Sequence, residues 1–279
     1  MNKFLFSKGD KMKKRTINFI KEIYNIIKKP VMGILPGQLA FSFVLTIIPI
    51  LAIVGWIGAK FSLSVENLSE FVRENFPATT SNLLLPLIDG VGFDVNILVF
   101  LISAFVLASR GAYSIIVTSN ILYNIELKGA FRRRVKSVII TLILILLICF
   151  LIIVPGFGDQ ILSFIVDLSF VDPISEGFII MYHILKYPIS FLLIFFNIKL
   201  IYTIAPDKFI KSKTVNIGTM LTTVLWILLT RLYSYYVSNF VNYDIFYGSL
   251  SNIIILLLWM YLLSYIFVLG LALNAGKIE

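Results

Sequence analysis

The chain has 279 residues, 59% of them hydrophobic and only 14% charged, against about 25% charged in soluble domains. That balance excludes a water-soluble globular domain, and several apolar runs of twenty or more residues point to one all-α, polytopic membrane domain. The net charge of +9 would suit nucleic acid, but the basic residues lie between the apolar runs, where membrane topology needs them, so no nucleic-acid partner is expected.

Residues 1–37 form a basic segment, with nine Lys or Arg among the first thirty residues. Ile17, Ile20, Ile23, Tyr24 and Ile27 recur there at helical spacing with lysines between them. That pattern predicts an amphipathic helix on an anionic cytoplasmic leaflet. Residues 38–275 are the transmembrane domain and 276–279 a short tail. The first predicted span, 38–58, contains Pro49, which should kink it. In the long connection that follows, Ser64 can cap a short helix carrying Val65, Leu68, Phe71 and Val72 on one side.

The second span, 95–122, holds a single formal charge, Arg110, near its middle; the other spans are expected to form a wall around it. A guanidinium at that depth costs about 2.5–3.5 kcal/mol on insertion scales, so the fold must accommodate it. The third span, 137–157, includes Cys149, the only cysteine in the chain and a packing thiol by expectation. The fourth, 178–204, carries His183, Lys186, Pro188, Asn197 and Lys199. The fifth, 215–237, carries Arg231, and the sixth is 247–275. Lys and Arg in alternating segments number eighteen on one side and two on the other. Six spans with both termini in the cytoplasm therefore satisfy the positive-inside rule.

Enzyme signatures are missing from the sequence: no P-loop, no G-x-S-x-G elbow and no H-E-x-x-H. A single histidine cannot make a two- or three-histidine zinc site, and neither metal nor cofactor is expected. The informative residues are the cations inside spans. Lys199 and Arg231 can snorkel to an interface, whereas Lys186 and above all Arg110 are harder to explain that way. With no Asp or Glu well inside a span, Arg110, together with Lys186 or Arg231, is the candidate site for an anionic group such as a lipid head. Gln38, Asn120, Asn197 and Asn252 suit interhelical hydrogen bonds. The tyrosines from Tyr233 to Tyr247 suit an interfacial belt.

Several of these residues also resemble a known family. Tyr202 with Ala205-Pro206, Trp226, Tyr236 to Phe240, Tyr243, Tyr247-Gly248-Ser249-Leu250, Leu258-Trp259 and Gly270 with Leu273-Asn274-Ala275 are similar to the YihY/BrkB virulence-factor family. Ser109-Arg110-Gly111 with Asn120 and Tyr123, and Leu39-Ala40-Phe41 with Pro49, match its second and first spans. The resemblance runs from about residue 36 to the end, with Ala272 where the family commonly has glutamate. It implies a six-span inner-membrane protein of bacteria, some of whose relatives carry the label ribonuclease BN. The chain lacks the His/Asp cluster that a metal-dependent nuclease needs. Two functions fit these residues: a transporter- or flippase-like protein for an anionic lipid or amphiphilic solute, and a non-transporting envelope scaffold with a protein partner or a second copy of itself.

Overall fold

A computed structural model describes residues 17–60, 96–126, 129–156, 175–240 and 248–276, with the single positions 69, 73, 81 and 85. The predicted helix after Ser64, the connection 157–174, and Tyr243 and Tyr247 lie outside the described residues, as do residues 1–16 and the last three. Among the described residues there are helices and connecting segments but no strand. A first helix, α1 (Ile17–Ile27), meets the next at 72°. Then come α2 (Val31–Lys60), α3 (Asn96–Leu122), α4 (Ala130–Gly156), α5 (Ser175–Ile204), α6 (Asn216–Phe240) and α7 (Ser251–Ala275). A 3-10 turn, Gly248–Leu250, leads into α7, with Gly248 at φ +52, a left-handed conformation that glycine adopts without a Cβ clash.

Each of the six predicted spans corresponds to one of these long helices, but the boundaries move. The helix of the first span begins at Val31 and includes Pro36 as well as Pro49. That of the third begins at Ala130, so Arg132, Arg133, Arg134 and Lys136 belong to its first two turns. Hydropathy reads charged turns as connection because apolar content, not backbone hydrogen bonding, defines its edges. Among the described residues, three helices are by themselves long and apolar enough to cross a membrane: Ile102–Leu122, Asn216–Val237 and Ser251–Ala275. Ile17–Ile27 with Val31–Ile47 makes a fourth candidate if that bent pair is one span.

Consecutive helices from α2 to α7 pack side by side, and α7 closes the ring by packing on both α6 and α2. Phe267 of α7 is central. Its ring lies edge-on to Tyr202 (4.8 Å between centroids) and Phe43 (6.4 Å), and stacks with Trp226 at 6.1 Å. Aromatic contacts of this kind add about 0.5–1.5 kcal/mol each beyond burial. Polar groups in this region are tied into the packing. The Tyr202 hydroxyl donates to the Phe267 carbonyl (2.7 Å) and shares a hydrogen bond with Thr222 (2.8 Å). Trp226 donates to the Leu263 carbonyl at 2.9 Å. Gly218 and Gly270 bring α6 and α7 into backbone contact, so that a Cβ on Gly218 would collide with the Gly270 carbonyl. The Gly218 amide donates to Asn274 Oδ1 at 2.9 Å. Small residues permitting such approach are the usual basis of helix association in lipid, where tails are as apolar as leucine.

A cationic groove on the outer face of the second span

Helix α3 does not sit inside a wall. Ala108, Ala112 and Ile115 are buried, and at 100° per residue Arg110 projects from the opposite side of those turns. It is exposed. Helices α2 and α4 both pack along α3 but barely touch each other, which leaves the outward strip of α3 as the floor of a groove. The resulting cavity encloses about 880 Å³, within the usual range for a small-molecule site. Its floor is Arg110, Tyr113, Ser114 and Val117, spaced three and four residues apart; Gln38 and Ser42 of α2 form one wall and Ala130, Phe131 and Arg134 of α4 the other. Gly111 sets the separation on the α2 side, since its missing Cβ would come within 2.8 Å of Thr46 Oγ1.

Two guanidinium groups serve this groove. Arg134 reaches across from α4 and donates through Nη2 to the Val106 carbonyl at 3.1 Å. Val106 lies one helical turn before Arg110, so two like charges occupy adjacent turns of one strip. Arg133 stacks above the Tyr113 ring, 5.7 Å from its centroid. Among the described residues no carboxylate lies within ion-pair distance of Arg110 or Arg134; the one ion pair joins Lys136 to Asp207. Ala130 and Phe131 open α4, so the positive end of a helix also faces the groove. The Ser114 hydroxyl is buried and has no hydrogen-bond partner, although buried hydroxyls nearly always have one. The groove is thus rich in donors and positive charge, with no counter-charge among the described residues.

The opposite side of α4 is fastened down. Lys136 Nζ donates to the carbonyls of Ala205 (2.8 Å) and Pro206 (2.7 Å) and to Asp207 Oδ1 (2.9 Å). Asn120 Nδ2 donates to Asp207 Oδ2 at 2.7 Å, and the Asp207 amide donates back to Asn120 Oδ1 at 2.8 Å. This knot joins α3, α4 and the turn after α5. Since residues 134 and 136 lie 200° apart around a helix, it fixes the rotation that points Arg134 into the groove.

The candidate cations therefore separate. Arg110 joins Arg134 and not Arg231, which is exposed on α6 and does not line the groove. Lys186 falls within α5, but its side chain is outside the described residues. Lys199 lies 5.9 Å from the Phe195 ring on its own helix. Of the family-motif residues, Ser109 donates to the Val106 carbonyl at 2.7 Å, on the strip Arg134 uses. Gly111, Asn120, Trp259 and Asn274 are packing or hydrogen-bonding positions. Ala272 is in the core cluster with Leu271 and Leu273. Arg134 and Asp207 escape a sequence reading because both fall in what hydropathy marks as connections; the one signal for Asp207 is its place as the acid after the Ala-Pro that ends α5.

The family model for virulence factor BrkB matches residues 34–277, a stretch that includes the groove, the knot and the α6–α7 contact. The chain belongs to the BrkB virulence-factor family. A ribonuclease-like protein of Bacillus subtilis (strain 168), YfkH, is 28% identical over 263 residues, covering 93% of this chain and 94% of the relative. A UPF0761 membrane protein of Aeromonas salmonicida (strain A449) is 24% identical over 257 residues, covering 91% of this chain and 86% of the relative. Another, from Vibrio vulnificus (strain YJ016), is 23% identical over 264 residues, covering 93% and 82%. No solved structure matches the chain. The family, the membrane-protein relatives and the apolar helices together make this a membrane protein of the BrkB/UPF0761 type.

Proposed function

We propose that this BrkB-family protein is a transporter- or flippase-like protein that takes the anionic head of a lipid or amphiphilic solute into the groove over Arg110. The supporting observation is the pair of guanidiniums, Arg110 and Arg134, on a strip with no carboxylate within reach among the described residues. In a membrane setting such a pair needs a counter-charge. Apolar side chains are exposed further along the two flanking helices, Phe41 and Leu45 on α2 and Val135, Ile139 and Leu142 on α4. A polar floor beside apolar helix surfaces suits an amphiphile whose tails stay in the bilayer while its head engages the arginines.

The same reading extends to the setting. Six spans in a bacterial cytoplasmic membrane, with both termini cytoplasmic, place α1 and the basic turns on the anionic leaflet, where juxtamembrane Lys and Arg are each worth about 1 kcal/mol. We read the groove as a carrier site, not a catalytic one: guanidinium, amide and hydroxyl groups recognise charge, and no nucleophile with an adjacent base is built into its lining. The ribonuclease-like label of the Bacillus relative is not carried over to this chain. The second reading, an envelope scaffold, draws on the packed aromatic interior around Phe267.

Native mass spectrometry of the purified protein, with anionic and zwitterionic phospholipids offered together, tests the first reading. Selective retention of anionic lipid by the wild type, lost in Arg110→Gln, is the expected result. Equal, unselective retention by both proteins would leave Arg110 a structural residue and favour the scaffold.

A further inference from the structure

Resting on that groove reading, we infer that its preferred occupant is a lipid phosphomonoester, a head that carries two negative charges on one phosphorus, over a phosphodiester or zwitterionic head. Two guanidiniums line the groove, Arg110 on its floor and Arg134 from the α4 wall, whose Nη2 donates to the Val106 carbonyl one turn before Arg110. A phosphodiester brings one negative charge and would leave one of them uncompensated. A monoester brings three terminal oxygens and a charge of about −1.5 to −2 near neutral pH, enough to meet both forks. The buried Ser114 hydroxyl supplies an additional unpartnered donor on the same floor. A zwitterionic head is disfavoured for a separate reason. Its ammonium would find no carboxylate among the described groove residues, and it would lie beside the two guanidiniums.

This occupant makes binding depend on pH through the ligand alone. The charged and titratable groups lining the site are Arg110 and Tyr113 from α3 and Arg134 from α4, with Arg133 outside the lining and laid over the Tyr113 ring, while α2 contributes the neutral Gln38 and Ser42. Among the described groove residues there is no carboxylate and no imidazole. A phosphomonoester loses its second charge as pH falls through about 6; a phosphodiester does not.

The experiment is a titration of the purified full-length protein, in detergent, with short-chain phosphatidic acid and short-chain phosphatidylglycerol at about pH 8 and pH 5, with inorganic phosphate as competitor. Expected is a preference for phosphatidic acid on the order of tenfold at the higher pH, about what one added charge-assisted hydrogen bond supplies. That preference should collapse at the lower pH and in both Arg110→Gln and Arg134→Gln. Equal affinity for the two lipids at both pH values, with both lost in Arg110→Gln, would overturn the monoester preference and keep the groove reading. Absence of any anion preference would overturn both. Displacement by inorganic phosphate as effectively as by free phosphatidic acid would overturn the lipid assignment, because the site would then recognise phosphate without its tails. The pH comparison on wild type decides the matter even if an arginine variant fails to fold.

Discussion

The two sides of the bundle are built differently. Where α5, α6 and α7 meet, contacts are close and polar groups are mostly paired: Gly218 against Gly270, Tyr202 bonded to Thr222 and to the Phe267 carbonyl, Trp226 to the Leu263 carbonyl and Tyr233 to the Ile255 carbonyl at 2.8 Å. On the outward strip of α3 the Ser114 hydroxyl is buried without a partner, and among the described residues no acid lies within ion-pair distance of the groove's arginines. The first side is arranged to hold helices together, the second to hold something else. In lipid, where tails give no hydrophobic reason for helices to associate, close packing and hydrogen bonds must do the holding. The α6–α7 contact and the knot behind α4 share that work, which leaves the outward strip of α3 free to carry uncompensated charge.

The largest effect expected from this division is at the helix contact. Gly218→Val would push a branched side chain into the Gly270 carbonyl and the Asn274 amide, forcing α6 and α7 apart. Loss of about 3 kcal/mol or more is expected, read as a large fall in the thermal midpoint in detergent or as failure to accumulate. Wild-type stability in this variant would show that α6 and α7 are not held by backbone contact. Arg110→Gln, being exposed, should leave the midpoint unchanged and so separate the two sides cleanly.

Next is the knot behind α4. Lys136→Met takes the cationic partner from the Asp207 carboxylate, 3% exposed, and removes the donor from two carbonyls; about 3 kcal/mol should be lost. Because the knot fixes the rotation of α4, this variant should also weaken anionic-lipid retention, whereas Gly218→Val should do so only through unfolding. A destabilised Lys136→Met that retains lipid fully would separate the knot from the groove. Tyr202→Phe follows, at about 1–2 kcal/mol, since Thr222 and the Phe267 carbonyl each lose a partner while the ring packing on Phe267 is kept. An unchanged midpoint would mean that the hydroxyl contributes nothing net.

How much of this was legible beforehand divides along physical lines. The long helices, their order and the oddity of Arg110 follow from hydropathy and a lone charge, because lipid penalises each polar side chain separately. Arg110's direction and its partner do not. Direction depends on which side of α3 the neighbours cover, and the small residues Ala108, Gly111 and Ala112 fit a contact in either direction. Arg134 looked like one more basic residue of a cytoplasmic connection, since nothing local distinguishes a charged first turn of a helix from a loop. Asn120 could be marked as an interhelical hydrogen bond, but its partner, Asp207, lies 87 residues away. Gly218 and Gly270 carry no separate signal either, because glycine is common in membrane helices without such contact.

The smallest predicted effect tests the groove most directly. Ser114 is 5% exposed, and its unpartnered hydroxyl is on the floor between Tyr113 and Val117. Were it only a packing residue, Ser114→Ala should be neutral or slightly stabilising, because the substitution removes a buried polar atom that bonds to nothing. Were it a donor to a bound head, the same change should leave the midpoint of the lipid-free protein unchanged or raised while weakening retention of phosphatidic acid about five-fold, the loss of one hydrogen bond worth about 1 kcal/mol. Stability and binding then move in opposite directions, a combination that damage to the fold does not produce. A variant that keeps full lipid affinity would remove Ser114 from the site and leave recognition to the two arginines alone.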